Sequence, residues 1–175
     1  MTFEIPFFIV KDKQAFSKRG GILRQIGNPS QIARKLADSG AKLIHIIDTD
    51  AKKGQAINMD IYDKLTYFVN IEVECSENAD MIERLIRVKA RVVLELSTKR
   101  DLSKWKDHER LLVGIVKPDY SRSAEGVHDV IIENADNEAI ERFSILKKRI
   151  IVFSTDYEKI NASSRKIVWG ILRPI

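Results

Sequence analysis

Gly27-Asn28-Pro29-Ser30-Gln31-Ile32-Ala33-Arg34-Lys35-Leu36-Ala37-Asp38-Ser39-Gly40-Ala41-Lys42-Leu43-Ile44-His45-Ile46-Ile47-Asp48-Thr49-Asp50-Ala51-Lys52-Lys53-Gly54 is the stretch that decides the fold. It contains a helix, a turn and a strand in succession. Asn28 is a candidate N-cap, and Pro29 suits the first helical position, where the N–H it lacks would have no partner anyway. Ile32, Ala33, Leu36 and Ala37 recur at helical spacing as one apolar stripe, and Gly40 stands where such a helix ends. The period then changes. Leu43–Asp48 is a nearly continuous apolar run, the pattern of a parallel strand buried on both faces.

The same alternation extends along the chain. Apolar runs at Phe7–Lys11, Leu43–Asp48, Ile71–Cys75, Val92–Leu96, Leu111–Val116, Val130–Glu133, Ile150–Phe153 and Ile167–Leu172 make eight candidate strands. Helical patterns lie between them at Met59–Phe68, Ala79–Lys89 and Asn137–Lys148, with a shorter one at Leu102–Arg110. Isoleucine outnumbers leucine 24 to 12, which suits a strand-rich core. The expectation is an α/β protein: a compact (β/α)8 TIM-type barrel filling residues 1–175 as one domain, with an open doubly wound sheet as runner-up. At 175 residues the chain is short for such a barrel, which usually takes about 200 or more. The economy falls in three places. Pro118–Val127 and Tyr157–Lys166 are brief connections, and Arg173-Pro174-Ile175 follows the eighth strand. The last helix is therefore expected to be missing, and helices five and seven to be reduced to turns.

Composition narrows the class. An apolar fraction of 44% and a charged fraction of 31% are those of a soluble globular protein. No run is long enough for a membrane span, and no leader pattern is legible, so a cytoplasmic protein is expected. A single cysteine, Cys75, excludes an intrachain disulfide and a cysteine zinc cluster. His45, His108 and His128 have no metal-binding spacing. The net charge of +5 comes with Lys and Arg spread along the chain and no aromatic-plus-basic RNA motif, so neither nucleic acid nor membrane is expected as a partner.

The opening strand, Ile5-Pro6-Phe7-Phe8-Ile9-Val10-Lys11-Asp12, together with the unit above, resembles the HisA/HisF family of histidine-biosynthesis barrels. That family comprises the ribotide isomerase and the imidazole glycerol phosphate synthase cyclase. The resemblance implies an isomerase-like (β/α)8 barrel acting on phosphorylated ribotides, and it covers nearly the whole chain. Asp48 and Asp50 match both acids of the family's second strand. The reactive positions do not match. Ile9 stands where the first general acid/base is implied and Val116 where the second is, and an aliphatic group cannot move a proton. The glycine-rich phosphate turns become Glu74-Cys75-Ser76 and Phe153-Ser154-Thr155, where a glutamate has the wrong charge and a Cβ hinders close approach. Lys13 replaces the glycine after Asp12, and Gly170 keeps a glycine of strand eight.

Strand parity carried over from the resemblance puts Lys11, Asp48, Asp50, Glu72, Glu74, Glu95 and Glu133 on the inward side. Two readings stay open. In one, an internal ion network fills a barrel that has lost its ligand. In the other, an acidic mouth of Asp48, Asp50, Glu74, Glu95 and Glu133 holds a cationic substrate, with Lys11 as a tuned amine. No cofactor is expected, and a divalent cation is the one such a mouth would suit. Ser154 and Thr155 are the ligand candidates at the former phosphate turn. Ser97-Thr98-Lys99-Arg100 could hold an anion at a helix start or simply cap it. His45 is expected to pack under a helix, and Cys75 to be a buried small residue.

A non-catalytic paralogue binding a small molecule is the leading functional expectation. An enzyme of altered chemistry is the alternative, and an isomerase with relocated acids, such as Asp48 with Glu133, is a third. A homodimer is also expected. With no last helix, alternate residues of Ile167–Leu172, with Phe8 and Val10, would be left bare, and Trp169 would lie at or near the interface.

Overall fold

The computed structural model describes residues 2–96 and 101–175, so the Ser97–Arg100 segment, read as an anion site or a helix cap, lies outside the described residues. The chain divides into two compact units, Ile5–Val93 with Pro174–Ile175 and Leu94–Arg173 with Met1–Glu4.

In the first unit, β1 (Phe3–Lys11) is followed by the hairpin strands β2 (Gln14–Arg19) and β3 (Ile22–Gly27), then α1 (Pro29–Asp38) and β4 (Leu43–Asp48). A 3₁₀ turn (Ala51–Lys53), α2 (Met59–Leu65), β5 (Asn70–Glu74), α3 (Ala79–Arg87) and β6 (Arg91–Glu95), whose last two residues fall in the second unit, complete it. The Asn28 carboxamide accepts from the amides of Ser30 and Gln31, and Pro29 is the first residue of α1, as its sequence requires. β1, β4, β5 and β6 pair in parallel. The β2–β3 hairpin is antiparallel to β1 and absent from the expected strands. Its signal was Gly20-Gly21, whose φ values of 56° and 80° make the two-residue turn that matches strand twist.

The β1–β2 turn is also left-handed at both residues, with φ of 47° at Asp12 and 62° at Lys13. Lysine thus occupies a conformation that favours glycine. Lys13 N–H donates to Asn58 Oδ1, and Lys13 Nζ meets the exposed Asp60 carboxylate at 3.0 Å. Such an exposed pair is worth well under about 1 kcal/mol. Left-handed backbone costs an ordinary residue about 1–2 kcal/mol. Lys13→Gly should therefore be more stable than Lys13→Ala by about 1 kcal/mol in urea denaturation; equal stabilities would mean the turn stores no strain.

In the second unit a kinked 3₁₀ segment (Ser103–Leu111) leads into β7 (Leu112–Val116). There follow β8 (Asp129–Ile132), α4 (Asn137–Ile145), β9 (Arg149–Phe153), α5 (Ser154–Tyr157), α6 (Ala162–Ile167) and β10 (Gly170–Pro174). β7 to β10 pair in parallel. The link between β7 and β8 has no helix, as expected. The link between β9 and β10 holds two short helices in place of a turn. Asn161 caps α6 by accepting from the Ser164 amide, which draws Ile167 into the helix and moves the eighth parallel strand from Ile167–Leu172 to Gly170–Pro174.

The strand order is β10-β9-β8-β7-β6-β5-β4-β1-β2-β3, and β10 also pairs β1. Eight strands in that closed sequence with helices between them make a (β/α)8 barrel, and the open sheet is set aside. The bare patch is corrected too. Phe8, Val10, Ile171 and Leu172 are all buried, and Trp169 is half-buried against Phe3, with the Arg149 guanidinium 4.1 Å from its ring centroid. The surface on which the homodimer was expected is therefore covered within the chain. No helix among the described residues is long and apolar enough to cross a membrane.

Candidate functional site

The parallel register aligns His45 with Glu72 and Ile47 with Glu74, so these side chains share one face of β4 and β5. His45 is wholly buried, with Nδ1 2.9 Å from Glu72 Oε1 and Nε2 3.0 Å from Glu74 Oε1. Arg91 Nη1 donates to Glu72 Oε2 at 3.0 Å, and Lys52 Nζ donates to Glu74 Oε2 at 2.6 Å. Burial alone would lower the His45 pKa, but the two flanking carboxylates outweigh it and raise it to about 9. Burial pushes Glu74 the other way, and His45 with Lys52 overcomes it, holding the carboxyl down to about 2. Two acids and three cations thus form one ion network with one positive charge in excess, its Lys52 end reaching solvent. His45 lies in this network and not beneath a helix, and the partners are Arg91 and Lys52 in place of Lys11, which is solvent-exposed at the end of β1. Arg91 was legible in principle: it heads a strand directly beside the glutamates.

Asp48 and Asp50 are separated from that set. Asp48 pairs with Val10 and has the opposite parity to His45, so it points toward the helices. It accepts from the amides of Asp50 and Ala51, from Asn58 Nδ2, and from the Tyr62 hydroxyl at 2.5 Å. Burial raises its pKa against those stabilising bonds. Asp50 accepts from the Asp12 amide and from Asn58 Nδ2. The i, i+2 pair therefore ties the β1–β2 turn and α2 to the end of β4. The expected single acidic mouth is divided, and among the described residues no three His, Cys, Asp or Glu side chains assemble as a metal site requires.

The two turns for which the resemblance implies phosphate binding have other partners. The Cys75 amide donates to Val93 O at 3.1 Å and the Ser76 amide to Ala51 O at 3.0 Å, so both are committed within the chain. After β9, half-buried Ser154 and exposed Thr155 open α5, and the next residue is buried Asp156, which accepts from the Ala135 amide. A carboxylate there repels an anion.

In the second unit the C-terminal ends of β7 and β8 border a cavity of about 230 Å³. Glu95, Glu133, Asp119 and Lys117 line it, with Tyr120 and Ser121 on its wall and Leu96, Ile115 and Val116 as apolar surface. Of the candidate residues Glu95 and Glu133 both line it, while Lys117, Asp119 and Tyr120 were missed because they lie on a link without periodicity. Val116 is 2% exposed, and in the first unit Ile9 is 9% exposed.

No family model matches the chain. Curated relatives do match. The chain is 32% identical over 98 residues to a 1-(5-phosphoribosyl)-5-((5-phosphoribosylamino)methylideneamino)imidazole-4-carboxamide isomerase of Nitrosopumilus maritimus, covering 54% of this chain and 39% of that protein. Isomerases of the same name from Methanocaldococcus jannaschii and Campylobacter concisus match at 29% over 125 residues and 28% over 137. These cover 63% and 71% of this chain and 53% and 58% of theirs. The matches thus span about half the length of the relatives. Among solved structures, tryptophan synthase from M. tuberculosis superposes with a TM-score of 0.62 at 10% identity, over 98% of this chain and 82% of that one. The tryptophan synthase α-subunit of Pyrococcus furiosus gives 0.61 at 10% identity, over 97% and 86%. At that identity the likeness concerns the fold. Sequence and fold together make the chain a HisA/HisF-like (β/α)8 barrel.

Proposed function

We propose that this chain is a non-catalytic relative of the ribotide isomerases that binds a small ligand in the cavity at the ends of β7 and β8. The observation that carries this reading is the chemistry at Ile9 and Val116. Both positions implied for proton transfer are aliphatic and buried, so no acid or base stands there. The phosphate turns support it, since their amides are committed to internal bonds or lie beside Asp156. The ligand is small and carries positive charge. The cavity is below the ~300–1,000 Å³ of sites for drug-sized molecules, and among its lining groups the carboxylates of Glu95 and Asp119 outnumber the one lysine, Lys117.

The test is turnover of the phosphorylated aminoimidazole ribotide that the matched relatives are named for. Purified protein should give none, and Ile9→Asp should also give none, because one restored carboxylate has neither a partner nor a phosphate clamp. Measurable isomerisation by either protein would overturn the reading. Glu95→Gln should weaken the binding of small diamines followed by calorimetry.

A further inference from the structure

The net charge of +5 has a location. Residues 13–37 hold Lys13, Lys18, Arg19, Arg24, Arg34 and Lys35 and no Asp or Glu, leaving the rest of the chain one acid in excess. The bases are spread along the sequence, as expected, but the acids are not. Most of this segment is the β2–β3 hairpin. Lys18, Arg19 and Arg24 are exposed there, as are Ile22 at 58% and Leu23 at 46%. β3 ends the strand order, so its outer edge pairs with no strand among the described residues. An edge of that kind offers a row of backbone donors and acceptors.

We propose that the free edge of β3 docks an extended acidic peptide segment of a partner protein, which adds as a further strand. Three features favour this occupant. Backbone pairing supplies affinity independent of side chains, the exposed Ile22 and Leu23 supply apolar contacts, and the basic side chains select an acidic sequence. A second copy of this chain is disfavoured, because pairing β3 with itself would bring two hairpins of the same charge together. Nucleic acid is disfavoured because the apolar groups the hairpin exposes are aliphatic and cannot stack on bases.

The probe is a fluorescein-labelled peptide of alternating glutamate and valine, titrated with the full chain and read by anisotropy. Two further peptides carry N-methyl groups on alternate amides, one on the odd and one on the even positions. Binding should survive in one methylated peptide and be lost in the other, since an added strand uses only one of its edges. The double variant Lys18→Glu/Arg24→Glu should bind at least about tenfold more weakly, with Ile9 and the cavity unaltered. Equal binding of both methylated peptides would reduce the interaction to charge and overturn the proposal. So would absent binding of the parent peptide, tighter binding of a single-stranded oligonucleotide of equal charge, or a dimer in light scattering that the charge reversal fails to dissolve. The proposed ligand cavity is unaffected by any of these results.

Discussion

His45→Leu should lower the unfolding free energy by about 3–5 kcal/mol, the cost of breaking a buried ion pair from one side. The leucine removes the cation between Glu72, which is fully buried, and Glu74, which is 4% exposed. Each carboxylate keeps one other partner, Arg91 or Lys52, but loses the hydrogen bond to the ring. The loss should depend on pH in a defined direction. His45 has a folded pKa of about 9 against an ordinary 6.5, so its contribution is complete below about 6.5 and vanishes as pH rises through about 9. Glu74, held down to about 2 from 4.5, contributes fully above about 4.5 and loses its share as pH falls through about 2. The cluster therefore stabilises most between those ordinary values. In urea denaturation across pH, the decline from about 6.5 to 9 should be present in the wild type and absent in His45→Leu. A wild-type stability flat across that range would show that the ring is not held as a cation. Replacing His45, Glu72, Glu74 and Arg91 together by apolar residues should cost much less than His45→Leu alone, because no buried charge is then left short of a partner and the half-exposed Lys52 reaches water.

Arg149→Ala should cost about 3 kcal/mol, toward the low end for a broken buried pair because water reaches the arginine side. Asp129 is fully buried, and Arg149 meets it with two parallel bonds, Nε to Oδ1 at 2.6 Å and Nη2 to Oδ2 at 2.8 Å. The same guanidinium covers Trp169. Arg149→Lys should recover little, since an ammonium can neither fork across a carboxylate nor stack as a plane. Arg84 provides the contrast. Its i, i+4 pair with Asp80 is exposed, and Arg84→Ala should change stability by no more than about 0.5 kcal/mol. Thermal melts with near-ultraviolet circular dichroism of Trp169 would separate the two. A loss in Arg149→Ala no greater than in Arg84→Ala would mean that Asp129 is satisfied without its arginine.

The elements were legible where a local rule was strong. Asn28, Pro29 and Gly40 bounded α1 because caps act within a few residues of backbone. The hairpin was missed although Gly20-Gly21 announced it, since its strands lack the apolar runs that marked the others. Ile167 was misassigned for a related reason. An apolar run alone does not distinguish strand from helix, and the Asn161 cap decided the matter. Among the candidate site residues, Glu95 and Glu133 share a cavity, Glu74 belongs to an ion network, and Asp48 and Asp50 secure a turn.

What the sequence determined by itself was the alternation of strand and helix, the resemblance to the histidine-pathway barrels, and the absence of an acid or base at Ile9 and Val116. Each of these depends only on residue type and spacing. Tertiary structure alone decided the partners. Asp48 and Glu74 are both acids at the end of a parallel strand, yet register turns one toward Tyr62 and the helices and the other toward His45 and Lys52. A shift of one residue in pairing exchanges the two faces of a strand. Whether a buried carboxylate fastens a turn, closes an ion network or lines a cavity is thus set by contacts between elements far apart in sequence, which no local pattern encodes.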